Sequence, residues 1–239
     1  MKKSQLLLWV LALLMLWGCA GDQQDLPADA QVPLEEETKY VALTFDDGPR
    51  RSTITALLNG LRERGASATF FLVGEEIEGN EDLVERMAAE GHQVGNHTWS
   101  HTRLKGAPAA EVTDQVCRTD EKLRQVLGEG EYWLRPPYGQ LEEDQKPLIP
   151  VPMVQWSVDS RDWESKNTEK IVAKVLKEVK PNSIILLHDI YPTSVEAALK
   201  IVDTLQAEGY WFVTVQELLA LNGIQPQPGV LYRSGDKAE

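Results

Sequence analysis

Apolar positions along the chain change their period repeatedly, and each change marks an element. Short apolar, β-prone runs recur at Tyr40–Phe45, Ala68–Val73, Gln93–Asn96, Tyr132–Arg135, Met153–Val158, Ser183–His188 and Trp211–Val215. Between them, apolar residues fall at three- and four-residue spacing over Thr53–Arg64, Asp82–Glu90, Ala109–Leu127, Thr168–Val179 and Ser194–Glu208, as on one face of a helix. Repeated β–α alternation predicts an α/β fold of parallel strands wrapped by helices, because parallel neighbours need a crossover connection. One link departs from the alternation: between Gly139 and Trp156, Pro147, Pro150 and Pro152 leave room for at most a short helix.

The ends of the chain are patterned differently. Met1-Lys2-Lys3 and the apolar run from Leu6 to Leu16 make residues 1–18 a secretory signal, the run being shorter than the ~20 apolar residues of a membrane span. It closes in Leu16-Trp17-Gly18-Cys19, which resembles the lipobox of bacterial lipoproteins and implies a lipid on Cys19 and attachment to a membrane through it. Trp17 departs from that pattern, and cleavage after Ala20 to give a soluble exported protein is the alternative. Residues 19–38 are acidic, lack aromatics and read as a tether. Residues 39–223 suffice for one domain with a substantial core, and 224–239 read as a polar tail.

Composition narrows the partners. The net charge of −13, without a basic cluster, argues against nucleic acid and suits a neutral or product-cationic polymer better than a polyanion. With two cysteines, one of them Cys19, no disulfide framework is expected. Cys117 stands among Val112, Val116, Leu123 and Val126, which predicts a buried structural thiol.

Chemistry-bearing residues gather where the strands end. Asp46-Asp47 follows the first strand, His97 and His101 the third, Arg135 the fourth, Asp159 and Asp162 the fifth, and His188-Asp189 the sixth. Adjacent carboxylates disfavour each other's ionisation, a conflict that a cation relieves. Residues after five strands converge only if the strands ring one mouth, so the array is a barrel with its site at the C-terminal face. If a helical turn starts at His97, His97 and His101 face one way and, with a carboxylate, complete a two-His, one-carboxylate set with positions left for water and substrate. His92, near a strand start, reads as structural.

Five ordered segments carry a resemblance: Thr44-Phe45-Asp46-Asp47-Gly48, His97-Thr98-Trp99-Ser100-His101, Arg135-Pro136-Pro137-Tyr138, Asp159-Ser160-Arg161-Asp162-Trp163 and Leu186-Leu187-His188. They resemble the polysaccharide deacetylase family, carbohydrate esterases of the NodB-homology type, over nearly all of Lys39 to Leu221. The resemblance implies a distorted, incomplete (β/α)7 barrel related to the TIM barrel. It implies that Asp47, His97 and His101 hold one divalent metal, zinc before cobalt or another first-row ion. Asp46 would be the base that activates water, with Arg135 orienting it, and the Tyr138 N–H would serve the developing oxyanion. His188 would protonate the leaving amine with Asp162 favouring its imidazolium, while Trp163 and Leu186 would line an acetyl-methyl pocket and Asp159 would shape the loop. The implied reaction removes N-acetyl groups from an acetylated, GlcNAc-containing polysaccharide, whether peptidoglycan, chitin-type oligomer or poly-GlcNAc. An O-acetyl, xylan-type esterase is the second reading. A non-catalytic glycan-binding module is the third, and it predicts decay of the ligand or acid positions, which all stand intact.

Overall fold

The fold is built around the strand Lys39–Asp46 (β1), whose residues from Val41 to Asp46 are all buried. A strand covered on both faces is apolar throughout rather than alternating, which is why Val41-Ala42-Leu43-Thr44-Phe45 reads as a continuous run. The computed structural model describes residues 38–236; the expected signal sequence, Cys19 and nearly all of the expected tether lie outside the described residues.

After β1 come α1 (Arg51–Glu63), β2 (Thr69–Leu72), α2 (Gly74–Ile77), α3 (Glu81–Ala89), β3 (Gln93–Asn96) and α4 (Ala109–Leu127). Two short 3-10 turns at 137–139 and 143–148 replace a crossover helix before β4 (Met153–Val154) and β5 (Val158–Asp159). Next are α5 (Asp162–Ser165), α6 (Thr168–Glu178), β6 (Ile184–His188), α7 (Pro192–Ala207), β7 (Tyr210–Phe212), α8 (Val215–Leu221) and β8 (Leu231–Tyr232).

The parallel ladder runs β3-β2-β1-β6-β5, and β7 takes up Lys39–Val41, the part of β1 that precedes its pairing with β2 and β6. Beyond β3, Leu134 alone bridges Asn96 to Met153 of β4. The result is a distorted, incomplete (β/α)7 barrel; among the described residues no ladder joins β4 to β5. Helices α1, α6 and α7 pack side by side outside it, and α1 buries Ile54, Leu57, Leu58 and Leu61 completely, each contributing about 1.5–3 kcal/mol of transfer free energy.

Several expected elements differ. The Tyr132–Arg135 strand shrinks to one bridging residue, because Pro136 and Pro152 lack the N–H needed to extend the ladder. The Met153–Val158 strand breaks at Gln155, whose N–H donates to Tyr232 at 2.7 Å and whose carbonyl accepts from Arg135 at 2.8 Å. The last core strand stops at Phe212, because Thr214 and Glu217 form a capping box that starts α8. Residues after Gly223 are not merely a tail: β8 pairs with β4, and the Gly235 N–H bonds to Asn182. Cys117 is exposed; α4 turns Val112, Gln115, Val116, Thr119 and Leu123 inward instead, and two of those positions are polar, so apolar spacing alone misplaced the face.

Candidate active site

β1 delivers two carboxylates in opposite circumstances. Asp46 ends the strand and is buried, its Oδ1 accepting from Arg135 Nη1 at 2.7 Å. Arg135 is itself fully enclosed: Nη1 also reaches Thr44 Oγ1 at 2.7 Å, Nη2 reaches the Gln155 carbonyl, and its Cζ lies 4.2 Å from the Phe71 ring centroid. Burial pulls the guanidinium pKa down while Asp46 opposes the fall.

Asp47 leaves the strand at φ 74°, left-handed backbone that Asp tolerates better than most residues. Its Oδ1 is buried without a hydrogen-bond partner and lies 3.5 Å from His97 Nε2 and 3.3 Å from His101 Nε2. These three residues offer ligand atoms all within 4.8 Å of one another. The two histidines meet differently from the helical expectation: 97–101 is a loop, with Thr98 at φ 67° and His101 at φ 54°, braced where Asn96 Oδ1 accepts the Thr98 N–H at 2.8 Å. His97 Nδ1 donates to the Arg135 carbonyl at 2.7 Å, which leaves the Nε2 lone pair facing Asp47. A lone pair aimed at a partnerless carboxylate oxygen is an unfavourable arrangement that a cation would satisfy, so this donor set fits a divalent ion. Burial alone would raise the Asp47 pKa, but the closeness of the His97 imidazole first, and then of His188 and His101, lowers it to about 2.

Opposite stands His188 at the end of β6. Its Nδ1 lies 2.8 Å from Asp162 Oδ1, and its backbone N–H donates to Asp162 Oδ2 at 2.7 Å. Asp162 is fully buried and also accepts from Ser194 Oγ at 2.6 Å and the Trp163 N–H at 2.9 Å. Burial works against charge on His188, yet the Asp162 hydrogen bond and charge, with Asp46 and Asp47, raise its pKa to about 9.

One cavity of about 390 Å³ brings together Asp46, Asp47, His97, His101, Tyr138, Trp163, Leu186 and His188, while Arg135 and Asp162 stand behind its wall. Tyr138 adopts φ 61° and stays half exposed, its ring edge-on to His101 at 4.8 Å. Trp156 and Asp159 also line the cavity; Trp156 went unassigned because it stood inside what read as a strand. Asp189, also without an assigned role, is fully buried, and neither carboxyl oxygen has a partner among the described residues. Burial and then the Asp47 charge push its pKa up to about 8, and it packs so tightly against Gly48 that a Cβ there would fall 2.2 Å from its Oδ2. A wider hollow of about 600 Å³ opens beside His92 at the other end of the strands, but no metal-ligand group is found there among the described residues. His92 accepts the Ala68 N–H at 3.2 Å.

A barrel with a cation-ready donor set between a buried Asp–Arg pair and a buried Asp–His pair defines a hydrolase-type site. The chain belongs to the polysaccharide deacetylase family, whose model matches residues 34–148. A peptidoglycan-N-acetylglucosamine deacetylase of Listeria monocytogenes is 37% identical over 188 residues, 79% of this chain and 40% of that protein. The chain thus spans about two-fifths of the length of that relative. A solved structure described as T48 deacetylase with substrate superposes with a TM-score of 0.78 at 42% identity, covering 82% of this chain and 96% of that one. A family 4 acetyl xylan esterase from Clostridium thermocellum in complex with a cobalt ion gives 0.78 at 31% identity, covering 82% and 98%.

Proposed function

We propose that the chain is a metal-dependent hydrolase that removes N-acetyl groups from a GlcNAc-containing polysaccharide. The observation that carries the reading is the pairing of two differently prepared groups, Asp46 with Arg135 and His188 with Asp162, around one Asp47-His97-His101 donor set. A divalent ion in that set, zinc by the character of its ligands, would acidify a water molecule and polarise the acetamide carbonyl. Arg135 holds Asp46 Oδ1, so Oδ2 is the oxygen free to take a proton from the attacking water. The Tyr138 backbone N–H serves the oxygen on which charge develops, and Trp163 and Leu186 receive the methyl group. His188, kept protonated by Asp162, gives its proton to the departing nitrogen.

The likeness to an acetyl xylan esterase supports a second reading, O-acetyl ester hydrolysis at the same site. The Asp162–His188 assembly favours the amide, because an amine leaves poorly unless protonated, whereas an alkoxide leaves more easily. Acetate and free amine measured over a panel of N-acetylated and O-acetylated glycans test the choice: amine in step with acetate is expected, and acetate from O-acetyl groups alone overturns the N-deacetylase reading.

The relatives' envelope substrates support export. Among the described residues no helix is long and apolar enough to cross a membrane, and attachment is assigned to lipid on Cys19. Mass spectrometry of the mature N-terminus is expected to show acylated Cys19; an unmodified terminus at Gly21 overturns the anchor.

A further inference from the structure

We propose that the rim of the cleft beside Tyr138 is an anion subsite, with Arg103 and Arg233 as specificity-determining residues for glycans that carry a carboxylate near the reacting N-acetyl sugar. The inference rests on the N-deacetylase reading above. Every other arginine except Arg50 meets an Asp or Glu within ion-pair distance. In a chain of net charge −13, acidic partners are plentiful, yet Arg103 and Arg233 are each held by a neutral glutamine instead.

Arg103 lies over the Tyr138 ring, 4.4 Å from its centroid, and Nη1 donates to Gln140 Oε1 at 2.6 Å. Arg233 Nε donates to Gln155 Oε1 at 2.6 Å, and Gln155 Nε2 in turn donates to the Gly139 carbonyl. Both guanidiniums are therefore tied to one turn, Pro137–Gly139, which carries the aromatic ring that walls the cavity. Each has a single hydrogen-bond contact among the described residues, while a guanidinium offers five donors in a planar fork. The stacking and the glutamine bonds restrict both side chains in advance, lowering the entropic cost of binding an anion.

The lining at Asp159 is built differently. Asp159 accepts the Arg161 N–H, and Arg161 is already paired with Glu164. The cleft is thus asymmetric in charge, with free cationic donors beside Tyr138 and a carboxylate suited to sugar hydroxyls at Asp159. A glycan with a carboxylate on a lactyl ether, a uronic acid or a peptide branch would be oriented by that asymmetry; a neutral homopolymer would not.

The test compares kcat/KM of metal-loaded protein on oligomers of one length: a neutral N-acetylglucosamine oligomer, an alternating oligomer with free lactyl carboxylates, its carboxyl-amidated twin, a uronic-acid analogue and a peptide-bearing form. Wild type is expected to prefer a carboxylate-bearing form over the amidated twin, more weakly as salt rises, and the form preferred identifies the carboxylate's source. Arg103→Gln with Arg233→Gln is expected to cut that preference about tenfold through KM, the change in the ratio of two substrates being the readout, with Arg→Lys restoring part of it. An equal ratio in wild type and the double variant overturns the subsite. Calorimetric binding of the same glycans to metal-free protein separates the two proposals: carboxylate preference in binding, with no acetate released from any of the glycans by the metal-loaded protein, supports the subsite and overturns the deacetylase reading, and loss of preference in both assays overturns the subsite alone.

Discussion

Asp46 and His188 are register partners across the β1–β6 ladder. Neighbouring parallel strands in register present such residues to the same face, so one ladder rung sets the proposed base and the proposed acid at one mouth. Their neighbours differ, Arg135 for one and Asp162 for the other, and those neighbours prepare one group to accept a proton and the other to give one.

From this division of labour, Asp46→Asn is expected to keep the metal and lose activity by about 10²–10⁴-fold, since size and polarity stay while the base is gone. Asp47→Ala should lose the ion itself, because its Oδ1 is the oxygen nearest both histidines. Elemental analysis with single-turnover rates checks both, and equal metal loss in the two variants would mean their roles are exchanged.

His188 has a pKa raised to about 9. A proton donor is lost as pH rises through its pKa, so cleavage of the amide should fall above about pH 9. Asp162→Asn withdraws the charge that holds the proton, which lowers that pKa and moves the alkaline limb to lower pH. His188→Ala should abolish cleavage of N-acetylglucosamine oligomers while sparing much of the hydrolysis of an activated aryl acetate. Equal losses on both substrates would assign His188 to positioning rather than proton transfer.

Arg135 is fully buried and pairs with a buried Asp46. Removing one partner of such a pair strands the other charge, at a cost of about 3–5 kcal/mol. Arg135→Ala should therefore lower the denaturant midpoint as well as activity, whereas Asp46→Asn keeps a hydrogen-bonding partner for the guanidinium and should cost less. Matching midpoints for the two variants would contradict the role given to the pair.

The barrel and most of its mouth were legible in the sequence because β1 and β6 are apolar runs that end in polar, chemistry-bearing residues. What stayed illegible depended on long-range polar partners. Gln155 interrupts a strand because Arg135 and Tyr232 claim its backbone, and nothing local to Met153–Val158 signals that. Arg233 reaches Gln155 only because β8 folds back onto β4, so residues 224–239 carried no sign of it. Cys117 was misplaced because Gln115 turns inward to bond Ser100 in the histidine loop, an attachment that apolar spacing cannot register. Gly48 was visible as a turn signal, but its need to lack a side chain follows from Asp189 lying against it, a contact across 141 positions of sequence.

The central claim is metal-dependent N-deacetylation at the Asp47-His97-His101 set, and one measurement addresses it directly: parallel time courses of acetate and free amine from an N-acetylglucosamine oligomer, before chelation, after chelation and after zinc is restored. The account predicts equimolar acetate and amine, loss of both on chelation and recovery of both with about one ion per chain. Turnover indifferent to the chelator, or acetate without amine, would contradict it.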